Sequence, residues 1–252
     1  MLFDRLLVRS LRFRLAAAVL ATAAGSEPLH GDTNVSSWNL LVYVRDYSTE
    51  ETAYRRFATV LNPFVDQHSI ALPSNPQTMA AAQYDISWVL DYGSFNIAAQ
   101  LQAQDGNSVR SQASGTIYLQ TDADLTLHAS ASFDYSLPAY GMWTDILLHV
   151  RDRTLNQDLL AQGASYDTFI APPGTGLLAV EGTTVLPAGH DLYMEYSVRV
   201  RTYGYSSTLP TADGFVNFTI TPEPATLALF LPAAVYLARR RGSMRGRHVH
   251  DG

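Results

Sequence analysis

The sequence contains neither cysteine nor lysine, and both absences narrow what it can be. Without cysteine there is no disulfide, thiol nucleophile, zinc–thiolate site or iron–sulfur cluster, so stability has to come from packing. A cysteine-free chain is compatible with an oxidising compartment without requiring one. Without lysine, all 17 positive side chains are arginine. Charge is sparse at 16% of residues, whereas hydrophobic residues make up 47%, enough for a real core and too many for bulk disorder.

The arginines are unevenly spread. Arg5, Arg9, Arg12 and Arg14 precede the first apolar run, and Arg239, Arg240, Arg241, Arg245 and Arg247 follow the last one. The body between the ends, residues 26–220, holds eight arginines against 20 acids, a formal charge near −12 where the whole chain has −6. Binding a phosphate backbone needs a basic surface, so nucleic acid is not an expected partner. Solubility alone accounts for such acidity.

Catalytic signatures are missing too. There is no Gly-x-Ser-x-Gly elbow, phosphate-cradling glycine loop, dinucleotide fingerprint or His-Glu-x-x-His helix. The chain therefore reads as non-enzymatic, with no cofactor. Paired carboxylates for glycoside hydrolysis stay open as the weaker alternative, because their separation is a three-dimensional quantity. His128 and His149 fall in strand patterns and read as cross-strand or surface residues. Asp122 and Asp124, flanking Ala123 in a predicted turn, and Asp105 and Asn107 in another, are the candidates for a calcium site. The simpler reading is that Asp and Asn favour turns through their own side-chain hydrogen bonds.

Both ends carry apolar runs. Met1 to Arg14 is a positive leader, Leu15 to Ala24 is rich in Leu, Ala and Val, and Ala21-Thr22-Ala23 has the small-x-small pattern of a signal-peptidase site. Ten such residues rise only about 15 Å as a helix, half the hydrocarbon thickness, so residues 1–24 read as a signal peptide and not a span. At the other end Pro222-Glu223-Pro224 precedes the uncharged stretch from Ala225 to Ala238 and then Arg239-Arg240-Arg241. That stretch rises about 21 Å, so as a single transmembrane helix it borrows from its flanks, thins the bilayer or lets the arginines snorkel. The positive-inside bias puts the arginines and the tail 242–252 in the cytoplasm and the acidic body outside.

The order Pro-Glu-Pro, hydrophobic helix, arginine cluster resembles a PEP-CTERM sorting signal. The resemblance covers Pro222 to about Arg241, under a tenth of the chain. It implies that residues 221–241 are recognised at Pro222, Glu223 and Pro224 and processed by exosortase, a membrane-embedded thiol protease of bacteria that make exopolysaccharide. It implies nothing about the body of the chain.

Across that body, residues 26–220, apolar and polar residues alternate with the period of two that marks half-buried strands. Predicted strands run Trp38 to Arg45, Met79 to Leu90, Phe95 to Ala103, Ser114 to Gln120, Leu125 to Tyr135, Ile146 to Arg151, Leu159 to Ser165, Gly176 to Glu181, Leu192 to Tyr203 and Gly214 to Ile220. About ten short strands without alternating helices predict an all-β, antiparallel β-sandwich. Leu186 to Tyr196, where Pro187-Ala188-Gly189 turns into an aromatic-rich alternating strand, resembles a late hairpin of jelly-roll modules and makes the expected sandwich jelly-roll-like. One helix is predicted over Ser48 to Leu61: Ser48 and Glu51 match a capping box, Glu51 can pair with Arg55, and Ala53, Phe57 and Leu61 share a face.

The expectation is an exported structural component, handled by signal peptidase, held in the inner membrane, processed by exosortase and left at the envelope or in extracellular polysaccharide. The alternative is a glycan-binding module. Trp38, Trp88 and Trp143 are then the candidates for a sugar-stacking platform on one sheet face, although in an all-β domain such rings serve first as core and cross-strand pairs.

Overall fold

The computed structural model describes residues 33–89, 92–103, 106–204 and 209–222. The signal peptide 1–24, Glu223, Pro224, the hydrophobic segment, Arg239, Arg240, Arg241 and the tail 242–252 lie outside the described residues. No helix among the described residues is long and apolar enough to cross a membrane.

Twelve strands account for the described body: β1 (Thr33–Asp46), β2 (Thr52–Phe57), β3 (Phe64–Ala71), β4 (Met79–Val89), β5 (Tyr92–Gln102), β6 (Gly106–Thr121), β7 (Leu125–Leu137), β8 (Met142–Asp152), β9 (Gln157–Asp167), β10 (Gly174–Leu186), β11 (Leu192–Gly204) and β12 (Thr211–Pro222). They form two six-stranded sheets, β2-β1-β6-β11-β8-β9 and β10-β7-β12-β5-β4-β3, called A and B below. Every neighbouring pair is antiparallel. The expected antiparallel β-sandwich is what the chain forms.

Alternation drives the packing. In β1, Leu40, Val42 and Val44 are buried while Asn39, Leu41 and Tyr43 between them stay partly exposed. The same phase in β4, β5, β7 and β12 turns Tyr84, Ile97, Phe133 and Phe218 inward from sheet B. Burying each such side chain contributes about 1.5–3 kcal/mol. The sheet margins also meet: Phe57 of β2 packs on Phe64 and stacks on His68 of β3. On the opposite side, Leu160 of β9 lies so close to Gly182 of β10 that a Cβ there would sit 2.4 Å from it.

The predicted helix does not form. Ser48 does not cap a helix; its amide and hydroxyl both donate to Asp46 Oδ1, an Asx-type turn. The Asp46 amide then donates to the Glu51 carbonyl at 2.9 Å, Glu50 takes φ 59°, and the chain reverses from β1 into β2. Glu51 does not reach back to a helix start but accepts from the Ser74 amide at 3.2 Å. The i, i+4 spacing of Ala53 and Phe57 was a coincidence of a short, mostly exposed edge strand, in which pairing with β1 overrides local preference.

Strand direction defines two poles. At one, Thr33 begins β1 opposite Thr121 of β6, and Pro222 ends β12 opposite Leu125 of β7, so both outer strand ends lie beside the β6–β7 turn. At the other, Asp46 pairs with Val109, and Val109 with Thr202.

Candidate functional site

The three tryptophans do not make one platform. Trp38 is a core residue, 2% exposed, against Phe64 at 5.0 Å and edge-on to Trp88 at 6.0 Å. Trp88 in turn stacks on buried Phe95. Trp143 belongs to the outer face of sheet A, with the Arg199 guanidinium 4.9 Å from its ring centroid. Two rings were thus claimed by the core and one remains at the surface.

The calcium candidates are otherwise engaged or undescribed. Asp124 Oδ1 accepts from the Ala188 amide at 2.8 Å and ties the β6–β7 turn to the β10–β11 turn. Asp122 is exposed, and Asp105 lies outside the described residues. Among the described residues no group of three or more His, Asp or Glu could hold a metal ion. His128 meets Thr183 across β7 and β10 at 2.9 Å, and His149 meets Asp158 at 2.9 Å.

The outer face of sheet A offers more. Alternate residues of β1, β6, β11 and β8 project there and line a shallow trough of about 280 Å³, with Asn39, Gln112, Ser114, Thr116 and Ser197 along its floor. These are neutral hydrogen-bonding groups held at strand spacing on a rigid sheet. Two carboxylates border them, one facing an arginine and the other a histidine. Asp145 takes the Arg199 Nε–H at 2.8 Å, and Glu195 lies 3.7 Å from His149 Nδ1. Burial pushes the Asp145 carboxyl above its ordinary range, and the Arg199 guanidinium offsets part of that rise.

Toward the Asp46 pole the trough meets a row of cations. Register sets Arg45 opposite Arg110 and Arg110 opposite Arg201, on three adjacent strands. Aromatic rings hold them. Arg45 and Arg201 lie 4.7 and 4.9 Å from the Tyr47 centroid, Arg110 lies 5.9 Å from Tyr43, and Arg201 lies 4.3 Å from Tyr203. The ring series continues from Tyr203 to Phe169 at 5.5 Å and from Phe169 to Tyr140 at 5.3 Å. These last three stay open to solvent, at 41%, 44% and 67% exposure. Burial pushes the Tyr47 phenol up, but Arg110 at its hydroxyl and the charges of Arg201 and Arg45 outweigh that and leave it below its ordinary value.

Sequence reasoning missed this constellation. The alternation Arg199-Val200-Arg201 says that both arginines share a face. It does not say that Arg45 and Arg110, far away in the chain, share the same row, because register is not written in any single strand.

No known family model matches the chain, and no curated protein matches it. Among solved structures, an arabinose-bound MgGH51 α-L-arabinofuranosidase is 11% identical with a TM-score of 0.26, over 61% of this chain and 23% of that one. The VP2 subviral particle of infectious bursal disease virus is 12% identical with a TM-score of 0.24, over 86% and 74% of the two chains. A CBM4 structure is 12% identical with a TM-score of 0.23, over 66% of this chain and all of that one. Likeness at this level says nothing about ligand or activity, so the site stands on its own geometry.

Proposed function

We propose that this chain is an exported, tail-sorted β-sandwich that resides at the envelope or in extracellular polysaccharide and grips glycan with the outer face of sheet A, without catalysis. The reading is carried by one juxtaposition: a trough floored by neutral hydrogen-bonding side chains on the sheet, linked through the arginine row to exposed aromatic rings at the end of β11 and in the adjoining turns. Sugars present hydroxyls at their edges and apolar C–H faces above and below the ring, and such a surface answers both. Glycoside hydrolysis requires one carboxyl as acid and a second as base or nucleophile. Here Asp145 and Glu195 are turned to Arg199 and His149, which favours binding over cleavage.

Delivery rests on the sequence of the two ends. In this reading signal peptidase removes the leader, the hydrophobic segment holds the inner membrane, and exosortase acts at Pro222-Glu223-Pro224. Pro222 already belongs to β12, so the signal begins where the sandwich stops. The β12 end and the arginine row lie at opposite poles, and the eleven steps along β6 from Arg110 to Thr121 span roughly 35 Å. A tethered body would then hold its binding end away from the lipid.

The test is retention of residues 26–222, within which the core closes, on exopolysaccharide from a strain with active exosortase. Specific retention weakened by Trp143→Ala is expected. Absence of retention would overturn the glycan-binding reading, and release of soluble sugar would replace it with a hydrolase. For the tail, replacing Pro222-Glu223-Pro224 by alanines is expected to leave an unprocessed membrane-bound form. Unchanged size and location would overturn the sorting reading.

A further inference from the structure

The glycan-binding reading above leaves the chemistry of the sugar open, and the cation row speaks to it. We infer that Arg45, Arg110 and Arg201 recognise carboxylate groups of an acidic polysaccharide, while the rings of Tyr203, Phe169 and Tyr140 take the faces of its sugars.

The row is hard to explain by stability. Like charges directly opposite one another across strands are destabilising, and here Arg110 faces one on each side. Among the described residues none of the three forms an ion pair. Arg110 reaches Gln112 Oε1, and Arg201 reaches Ser108 Oγ at 3.1 Å, both neutral acceptors. The Nε–H groups of all three are buried without an acceptor, a further cost. Arg199, two residues from Arg201 on the same face, pairs directly with Asp145, whereas the row feels that carboxylate only at a distance, through Arg110. A domain with 20 acids and eight arginines has placed three of those arginines in one line with no carboxylate directly paired to them among the described residues. Cation–π contacts keep the guanidinium groups in place, and the phenol of Tyr47 registers their summed field.

A carboxylate fits this arrangement. It accepts a bidentate pair of N–H bonds from a guanidinium, and burial beside aromatic rings strengthens that bond relative to water. Adjacent strands lie ~4.8 Å apart, so the three stems span about 10 Å, room for an extended polymer to lay successive charged groups along the row. The neutral groups of the trough and the exposed rings begin where the row ends, which suits sugar hydroxyls and faces and has no role for a simple inorganic anion. Nucleic acid is disfavoured by the surrounding net charge near −12.

The experiment is affinity electrophoresis of residues 26–222 through gels containing polygalacturonate, its fully methyl-esterified form, or single-stranded DNA. Retardation by polygalacturonate is expected, at least tenfold weaker with the ester and weaker again as salt is raised. Arg110→Gln is expected to weaken it about tenfold, as loss of a charge-assisted contact does, and Arg45→Gln with Arg201→Gln further. Thermal melts at or above the parent's would show those variants folded, since each removes a like-charge neighbour. Arg110→Lys, which keeps charge but loses the fork, is expected to fall between. Equal retardation by acid and ester overturns the carboxylate assignment and leaves the glycan reading standing. Equal retardation by DNA and polygalacturonate, indifference to the arginine substitutions, or no retardation by polygalacturonate each overturns the assignment. The exopolysaccharide retention above decides the glycan reading separately.

Discussion

Gly214 gives the strictest test of the packing. It sits in β12 opposite Phe133 of β7, near the middle of sheet B. A Cβ built there would lie 2.0 Å from the Ser132 carbonyl oxygen and 2.7 Å from the Phe133 Cα. Both neighbours are backbone, so no rotamer change relieves the clash, and the strands must part by roughly 1 Å in an interior that packs like a crystal. Overpacking of this kind costs about 1–3 kcal/mol, and each loosened ladder bond adds about 1 kcal/mol. Gly214→Ala should therefore destabilise by about 3 kcal/mol, which for a domain of this size lowers Tm by roughly 6–12 °C. Circular dichroism melts of residues 26–222 measure it directly. A Tm within 2 °C of the parent would falsify the close β7–β12 approach and the register built on it.

Three other perturbations follow from buried or paired groups. Asp152 is buried, accepts from His190 Nδ1 at 2.6 Å and from the Leu155 amide at 3.0 Å, and so joins the β8–β9 turn to the β10–β11 turn. Burial pushes its carboxyl up, but those bonds and one from the Thr154 amide win and hold it below the ordinary value. Its contribution is therefore complete above the unfolded carboxylate range and is lost as pH falls through the lower folded value. Asp152→Asn should cost about 2 kcal/mol at pH 7, with the gap to the parent closing in acid; a gap independent of pH in urea titrations refutes the lowered carboxylate. Asp213 has the opposite sign: partial burial and the facing Asp134 raise its carboxyl, so its ionisation opposes folding above the ordinary range. Asp213→Asn should stabilise by roughly 0.5 kcal/mol at pH 7 and by nothing near pH 3, and destabilisation at pH 7 would contradict this. Tyr84 and Tyr196 face each other between the sheets, and burial raises both phenols; their hydroxyls feel one another, yet neither has a partner of normal hydrogen-bond geometry among the described residues. The double change to Phe should leave chemical-denaturation stability equal or about 1–2 kcal/mol higher, and a loss above 2 kcal/mol would reveal a hydrogen bond between them.

All ten strands predicted from alternation are present, most of them half-buried with inward residues at every second position, whereas β9 buries only Leu160 and does not alternate. β2 was missed for the converse reason: Thr52–Phe57 is an edge strand with little to bury, so its residues carry no period-two signal. β3 buries only Phe64 of its eight residues and was equally silent. The capping-box letters at Ser48 and Glu51 were real polar groups seeking partners, and they found Asp46 and Ser74 instead of a helix end. For the site, the residue types were legible and their meeting was not. Aromatic residues were expected to serve the surface or the core, and only the meeting of distant strands put Trp38 and Trp88 inward and set Tyr47 and Tyr203 against the arginines.

The place where β12 ends carries a mechanical consequence. This strand is bordered on both sides, by β5 and by β7, and its antiparallel ladders extend almost to Pro222. Tension entering at Pro222 and resisted at the Asp46 pole runs parallel to the strands, so it shears two ladders at once and cannot peel one bond at a time. Loaded in this direction, a body built this way should hold its form until both ladders give together.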